Sequence, residues 1–362
     1  DACYWLGLAQ KAQKDWTAAA KTLLEAAGQA PEHRLSTAIR FHAGDALLHA
    51  GDYPAARQQF DAVLQSPSGL GEWGADAMLG ICQAALRQKD HETIDRQSAE
   101  FMRRFSASPL RADVKRIQAR SLIERKQYQK AADLLGPLVA GKEPGAEAAE
   151  ERYLLGLAYE GLKRYDQALA AIGPVLNSAN APFKTDAQLA QALVFVATKR
   201  YAEAIPPLES FLAASVGPDA QSSADLMVKA RGNLAICLAR TKELDKAKKL
   251  YAGLIEKYPQ HELIVPMTEQ LADAAYDAGD TAWSQALFAQ LADQGRAADK
   301  QMAGLAGLGW SQYKAGQLEQ AAATFGQVLA KSPDAALAAE TALVRGQILQ
   351  KLEQSDDALA MF

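Results

Sequence analysis

The chain has 362 residues, 39 of them Lys or Arg and 43 Asp or Glu, for a formal net charge of −4, a balance that excludes a general bias toward nucleic acid or anionic membrane. It is rich in Ala, Leu, Gln, Lys and Glu and poor in β-branched runs, so an all-α fold is expected. Cys3, Cys82 and Cys237 stand far apart on apolar helical faces, which argues against a disulfide framework, and no apolar run of about 18 residues is present to span a bilayer.

Small residues that open a second helix divide the chain. With Ala19, Ala56, Glu92, Ala131, Ala168, Ala204, Ala247, Ser284, Ala321 and Ala358 as markers, the steps run from 36 to 39 residues, except for one of 43. Ten helix pairs are expected. Repeat 1 carries Leu6-Gly7, Ala19, Leu23, Ala26 and the helix-stopping Pro31. Repeat 2 has the turn Gly51-Asp52-Tyr53, suited to a helix end followed by a new N-cap, then Ala56, Phe60 and Pro67. Repeat 3 reads Leu79-Gly80, but with Glu92 and Arg96 where a small and an aromatic residue are expected, so its second helix is expected to pack differently.

Repeat 4, with Tyr128, Ala131 and Leu135, has Gln118-Ala119 in place of Leu-Gly. Pro137, Pro174 and Pro206-Pro207 fall inside the second helices of repeats 4, 5 and 6, where kinks are expected. The step of 43 places extra polar residues at Ser215 to Asp225, including Gly217-Pro218 and Ser222-Ser223, and a loop or hinge is expected near 213–226. Repeat 7 ends at Pro259, repeat 8 keeps Gly279-Asp280, Phe288 and Leu291, and repeat 9 keeps Leu308-Gly309, Gly316, Ala321, Phe325 and Pro333. Repeat 10 breaks off after Ala358, and the start at Asp1 without Met suggests a piece of a longer protein.

The clearest repeat is Glu151 to Leu176, ERYLLGLAYEGLKRYDQALAAIGPVL. Leu155-Gly156 and Tyr159 lie on its first helix, Ala168 and Ile172 on its second, and Tyr165 opens the second. Gly156 and Ala168 are small where two backbones approach, while Leu155, Tyr159, Leu169 and Ile172 supply apolar area. This spacing resembles the tetratricopeptide repeat family, although the period is a few residues longer than that family's. The resemblance implies one right-handed α-solenoid over residues 1–362 and a non-catalytic scaffold that binds a peptide or protein segment in its concave groove. The stretches ACYWLGLAQ and LKRYDQA resemble repeats of bacterial cell-envelope proteins, so a periplasmic or envelope-associated location is expected. The alternative is a recognition or regulatory segment of a larger enzyme whose catalytic domain lies elsewhere. Self-association through uncapped ends is a third possibility.

Transferring the family register implies a set of groove candidates: Tyr4, Leu8 and Lys11; Phe41, Asp45, Leu48 and His49; Arg116 and Arg120; Tyr153, Leu157 and Glu160; Asp273 and Tyr276; Trp310, Tyr313 and Lys314. Aromatics there either anchor a partner or pack against the next repeat, and both readings stand. Arg116 and Arg120 lack the Asn residues of carboxylate-clamp relatives, which disfavours a chaperone-tail clamp.

No cofactor, catalytic or metal residue is expected. Gly69, Gly71 and Gly74 match G-x-G-x-x-G, but a helix precedes them where a strand is required. His91-Glu92 and His261-Glu262 lack a second histidine at zinc-ligand spacing, and only His42 and His49 lie near one another in sequence. Charge is uneven: Arg103 to Lys130 is strongly basic and Glu262 to Asp299 strongly acidic. That pattern fits either a bipolar scaffold that orients a charged partner or solvated helix faces. Nucleic-acid binding is not expected, since stacking aromatics are sparse in the basic run.

Overall fold

The computed structural model of the chain describes residues 1–29, 31–66, 71–142, 148–178, 181–215, 224–294, 297–331 and 334–361. Among them it holds twenty α-helices and no strand. In order these are α1 (Ala2–Ala12), α2 (Trp16–Gln29), α3 (Ser36–Ala50), α4 (Tyr53–Gln65), α5 (Gly74–Arg87), α6 (His91–Arg104), α7 (Arg111–Glu124), α8 (Tyr128–Val139), α9 (Ala149–Gly161) and α10 (Tyr165–Asn177). There follow α11 (Lys184–Ala197), α12 (Tyr201–Ala214), α13 (Ala224–Arg240), α14 (Leu244–Lys257), α15 (Ile264–Ala278), α16 (Thr281–Gln294), α17 (Ala298–Lys314), α18 (Leu318–Ala330), α19 (Ala335–Lys351) and α20 (Ser355–Leu359). They pair into helical repeats that make an α-solenoid. The chain divides into two compact units, Asp1–Lys184 and Thr185–Phe362. The first holds α1 to α10 and the second α11 to α20, with α11 starting at the boundary residue Lys184.

One residue per repeat makes the turn between its two helices in the left-handed conformation. These residues are Lys14, Gly51, Lys89, Lys126, Lys163, Lys199, Lys242, Gly279, Gly316 and Glu353, with φ from 55° to 88°. The next amide donates to the carbonyl five residues back, from Asp15 to Gln10 and from Gln354 to Leu349, at 2.9 Å in both. That bond occupies a carbonyl at the end of the first helix that would otherwise lack a donor. The turn residue then passes directly into the next helix, and Asp52 and Asp90 cap α4 and α6 by accepting from the amides of Ala55 and Thr93.

Five residues after each turn, a side chain is buried against the first helix: Ala19, Ala56, Ala131, Ala168, Ala204, Ala247, Ser284, Ala321 and Ala358. Seven residues before the turn the first helix is small in return. At Gly156 an added Cβ would lie 2.4 Å from Ile172 Cγ1, so the contact admits no side chain.

The turn residues correct the expected register of repeat 3. Counting from Lys89, the close-approach positions are Cys82 and Ile94, both 0% exposed, and Ser98, 1% exposed. Glu92 and Arg96 are exposed on the outer side of α6, and Gly80 instead packs on Phe60 of the preceding repeat. The displacement arises because a thiol and a β-branched side chain occupy positions where other repeats have Gly or Ala.

Pro137, Pro174 and Pro206-Pro207 do lie within α8, α10 and α12, and each helix continues past them. The carbonyls they leave without a donor belong to Asp133, Ala170, Ala202 and Glu203, all exposed residues where water can substitute. Gly136 and Gly173 precede two of these prolines, and a glycine relieves the clash that proline imposes on a helical neighbour. The expected loop falls mainly at 216–223, which is outside the described residues, as are Pro67, Gly69 and Pro333.

Candidate functional site

In the first compact unit, the face formed by α1, α3, α5, α7 and α9 presents the residues ten, six, three and two positions before each turn. Tyr4 is buried, 5.2 Å from the Trp5 ring and 5.8 Å from His42, and Leu8 packs beside it. Phe41 stacks on Trp73 at 4.6 Å. His49 is exposed and stacks on Trp16 at 4.4 Å, with its Nδ1–H donating to the Asp45 carbonyl at 2.9 Å. Tyr153 stacks on Phe183 at 5.8 Å, and Leu157 packs into the core beneath.

His42 and His49 do not form a pair. Lys11 Nζ donates to His42 Nδ1 at 2.9 Å and pairs with Asp45 at 2.6 Å. Burial, together with the charge of Lys11, lowers His42 to about 4, so the ring is neutral at physiological pH with its proton on Nε2. His91 Nδ1 lies 2.9 Å from Ser121 Oγ, and His261 Nε2 lies 3.0 Å from Asp225. Among the described residues no group of three or more His, Cys, Asp or Glu is arranged to hold a metal. Burial raises both Cys82 and Cys237 to about 12, which leaves their thiols unreactive at neutral pH.

Arg116 and Arg120 are occupied within the protein. Arg116 contacts Asp113 and Glu150 and donates to Glu151 at 2.8 Å, while Arg120 donates twice to Glu150 Oε1 at 3.0 and 2.8 Å. The Arg120 guanidinium also lies 5.5 Å from the Phe183 ring centroid. Further ion pairs engage part of the charge blocks seen in the sequence. Arg103 and Arg104 hold Glu100, and Arg125 donates to both oxygens of Asp95 at 2.8 and 2.9 Å. In the acidic run, Glu269 pairs with Lys300 at 2.7 Å, Asp277 with Arg240 and Asp280 with Lys248. Most of these pairs join neighbouring repeats, so part of each block is paired across a repeat boundary.

Between α3, α5 and α7 this face opens into a cavity of about 810 Å³. His49 and Arg120 border it, with Leu48, Leu86, Gln83, Arg87, Lys89 and Glu124. Gln83, Arg87 and Lys89 are exposed, and among the described residues Arg87 and Lys89 have no ion-pair partner. The cavity therefore offers an apolar wall of Leu48 and Leu86 beside uncommitted cations and an amide. The sequence register missed Gln83, Leu86 and Arg87 because repeat 3 was displaced by two residues. Anchoring on Lys89 places them at the same positions as Asp45, Leu48 and His49.

In the second compact unit, the corresponding face of α13, α15, α17 and α19 forms a ladder. Lys314 Nζ lies 4.1 Å from the Tyr276 ring centroid and donates to the Tyr276 carbonyl. Lys351 Nζ lies 4.9 Å from the Tyr313 ring centroid and donates to its hydroxyl at 2.7 Å. Trp310 meets Phe325 edge-on at 5.6 Å and Tyr313 at 6.2 Å. Each lysine reaches back one repeat, so Tyr276 and Tyr313 are each capped by an internal cation.

Tetratricopeptide repeat models match residues 4–70, 43–93, 153–220 and 189–262, and a second such model matches 307–335. Together the matches span more than half of the chain. The apo form of RapI is 13% identical, with a TM-score of 0.51 over 90% of this chain and 96% of its own. A tetratricopeptide repeat protein from Parabacteroides merdae is 16% identical over 77% of this chain and 98% of its own, with a TM-score of 0.47. The C-terminal part of a repeat-containing protein from Cytophaga hutchinsonii is 13% identical over 73% and 98%, with a TM-score of 0.49. The likeness to RapI is one of fold. No match was found among curated proteins.

Proposed function

The chain belongs to the tetratricopeptide repeat family, and on that premise we propose that it is a non-catalytic interaction scaffold whose first-helix face binds an extended segment of a partner protein. The observation that supports this reading is the cavity between α3, α5 and α7, where Leu48 and Leu86 stand beside Gln83, Arg87 and Lys89. Apolar wall and uncommitted polar groups on rigid helices are what a peptide needs for affinity and for orientation respectively. Elsewhere on the face the longer cations are already engaged. Arg116, Arg120, Lys314 and Lys351 serve the solenoid, so a partner would have to displace an internal contact to use them.

The envelope of a bacterium is the compartment in which we propose to seek that partner, on the strength of the local repeat resemblance. The test is selection from a displayed random-peptide library on the intact chain, followed by counter-selection on a Leu86→Asp, Arg87→Glu variant. Both residues are at least partly exposed, so the variant should fold. Peptides that bind the native chain and lose the variant support the reading. Failure to enrich any peptide, or equal retention by the variant, overturns it.

A further inference from the structure

The residue two positions before the turn takes part in an ion pair between repeats 7 and 8, and the same arrangement of charges is left open between repeats 3 and 4. In the second compact unit Arg240 stands two before Lys242 and Asp277 two before Gly279, 37 residues on, and the guanidinium donates to the carboxylate. In the first unit the same positions, at the same spacing, hold Arg87, two before Lys89, and Glu124, two before Lys126. Among the described residues these two form no ion pair with each other, although both line the cavity between α3, α5 and α7.

The open pair leaves a positive charge for something else to meet. Arg120 is held by Glu150 at 2.8 Å, and Glu124 lies 3.9 Å from His91 Nε2. Neither Asp45 nor Asp90 supplies the missing acid, since Asp45 pairs with Lys11 at 2.6 Å and Asp90 with Arg57 at 2.8 Å. Arg87 and Lys89 are exposed and uncommitted, so the lining carries more free positive charge than negative. Beside them the wall is apolar, with Leu48, Leu86 and the buried Ile117. Charges that meet beside apolar surface attract more strongly than charges on an open helix face, because less water screens them.

We propose that the segment bound in this cavity is acidic: an Asp or Glu side chain of the partner takes, opposite Arg87 and Lys89, the place that Asp277 takes opposite Arg240, while an adjoining aliphatic or aromatic residue packs on Leu48, Leu86 and Ile117. The proposal rests on the reading of this face as a peptide site and adds the sign of the partner's charge. Charge of that sign selects among partners and speeds their encounter, while the apolar contact holds them.

Two pools of displayed peptides test this, equal in length and in Leu, Ile and Phe content, with Asp and Glu at the charged positions of one and Lys and Arg at those of the other. The native chain should retain the acidic pool about ten-fold more than the basic one at low salt, and the preference should shrink as salt rises. Arg87→Glu, at an exposed site, should reverse the preference. Glu124→Gln removes the acid that lines the cavity and should raise retention of the acidic pool, a gain that misfolding cannot produce. Leu86→Gln should weaken both pools. Equal retention of the two pools, both weakened by Leu86→Gln, would leave the peptide site standing and overturn the acidic partner. So would a preference for the basic pool, or an acidic preference that Arg87→Glu and Glu124→Gln fail to move. Retention of neither pool overturns the proposal together with the reading on which it rests.

Discussion

Arg116 Nη1 donates to Glu151 Oε1 at 2.8 Å, and the Glu151 side chain is only 2% exposed. The pair joins repeat 4 to repeat 5 from the inside. Burial alone would disfavour the Arg116 charge, but Glu151, Asp113 and Glu150 outweigh it and raise its pKa. Removing the cation leaves a buried carboxylate, whereas removing the carboxylate leaves Arg116 with two other acids. Arg116→Ala is therefore expected to cost about 3–5 kcal/mol, and Glu151→Gln clearly less. Urea unfolding of the two variants checks the order, and equal losses would refute the asymmetry.

The fold was legible because it depends on small residues at fixed spacing: Gly7, Gly156 and Gly309 on first helices, Ala19, Ala168 and Ala321 on second. Repeat 3 escaped because Cys82, Ile94 and Ser98 are compatible with those positions sterically without resembling them. The cavity was lost with it, since Gln83, Leu86 and Arg87 are named only once the register is right. His49 and Arg120, whose own repeats were aligned correctly, border the cavity. The charge blocks were only partly legible for another reason. Arg125 with Asp95 and Arg240 with Asp277 are partners about one repeat apart, and a local count of charge cannot see across that distance.

The lysines at the left-handed turns offer a gain in stability. Lys163 has φ 58°, a conformation that costs a side chain roughly 1–2 kcal/mol and a glycine little. Part of that gain is offset by the larger entropy a glycine loses on folding. Lys163→Gly is expected to stabilise the chain by about 0.5–1 kcal/mol, and Gly51→Ala to destabilise it by about 1 kcal/mol. Opposite shifts in the denaturation midpoint would verify both, while a loss from Lys163→Gly would show that the lysine makes a contact worth more than the backbone cost.

His42 gives stability a defined dependence on pH. Its folded pKa lies at about 4 against an ordinary 6.5, so between these values the unfolded chain binds the extra proton. Stability from keeping the ring neutral is complete above about pH 6.5 and is lost as the pH falls toward 4. With discounting for partial exposure, the loss should be about 1–2 kcal/mol. His42→Gln should flatten the stability curve over this window while leaving the steeper loss at lower pH, where carboxylates such as Glu100, held at about 2 by Arg103 and Arg104, protonate. Parallel curves for native chain and variant would exclude His42 as the titrating group.

Two glycines on helices should respond oppositely to alanine. Gly253 lies in the interior of α14 with nothing within 4 Å of an added Cβ, so Gly253→Ala should stabilise by about 0.5–1 kcal/mol through helix propensity alone. Gly156 has the same propensity to gain but faces Ile172, whose Cγ1 and Cδ1 would lie 2.4 and 2.8 Å from the new carbon. Ile172 is wholly buried and has little room to withdraw, so Gly156→Ala should cost about 1–3 kcal/mol. If the clash is the cause, shortening Ile172 must relieve it. Ile172→Ala alone opens a cavity and should cost about 2–5 kcal/mol, yet combined with Gly156→Ala it should cost less than the two losses added, because the new methyl enters the space the isoleucine vacated. A double-mutant cycle by denaturant unfolding measures this coupling directly, and strict additivity would mean that Gly156 is required for the backbone rather than for the approach of α9 to α10.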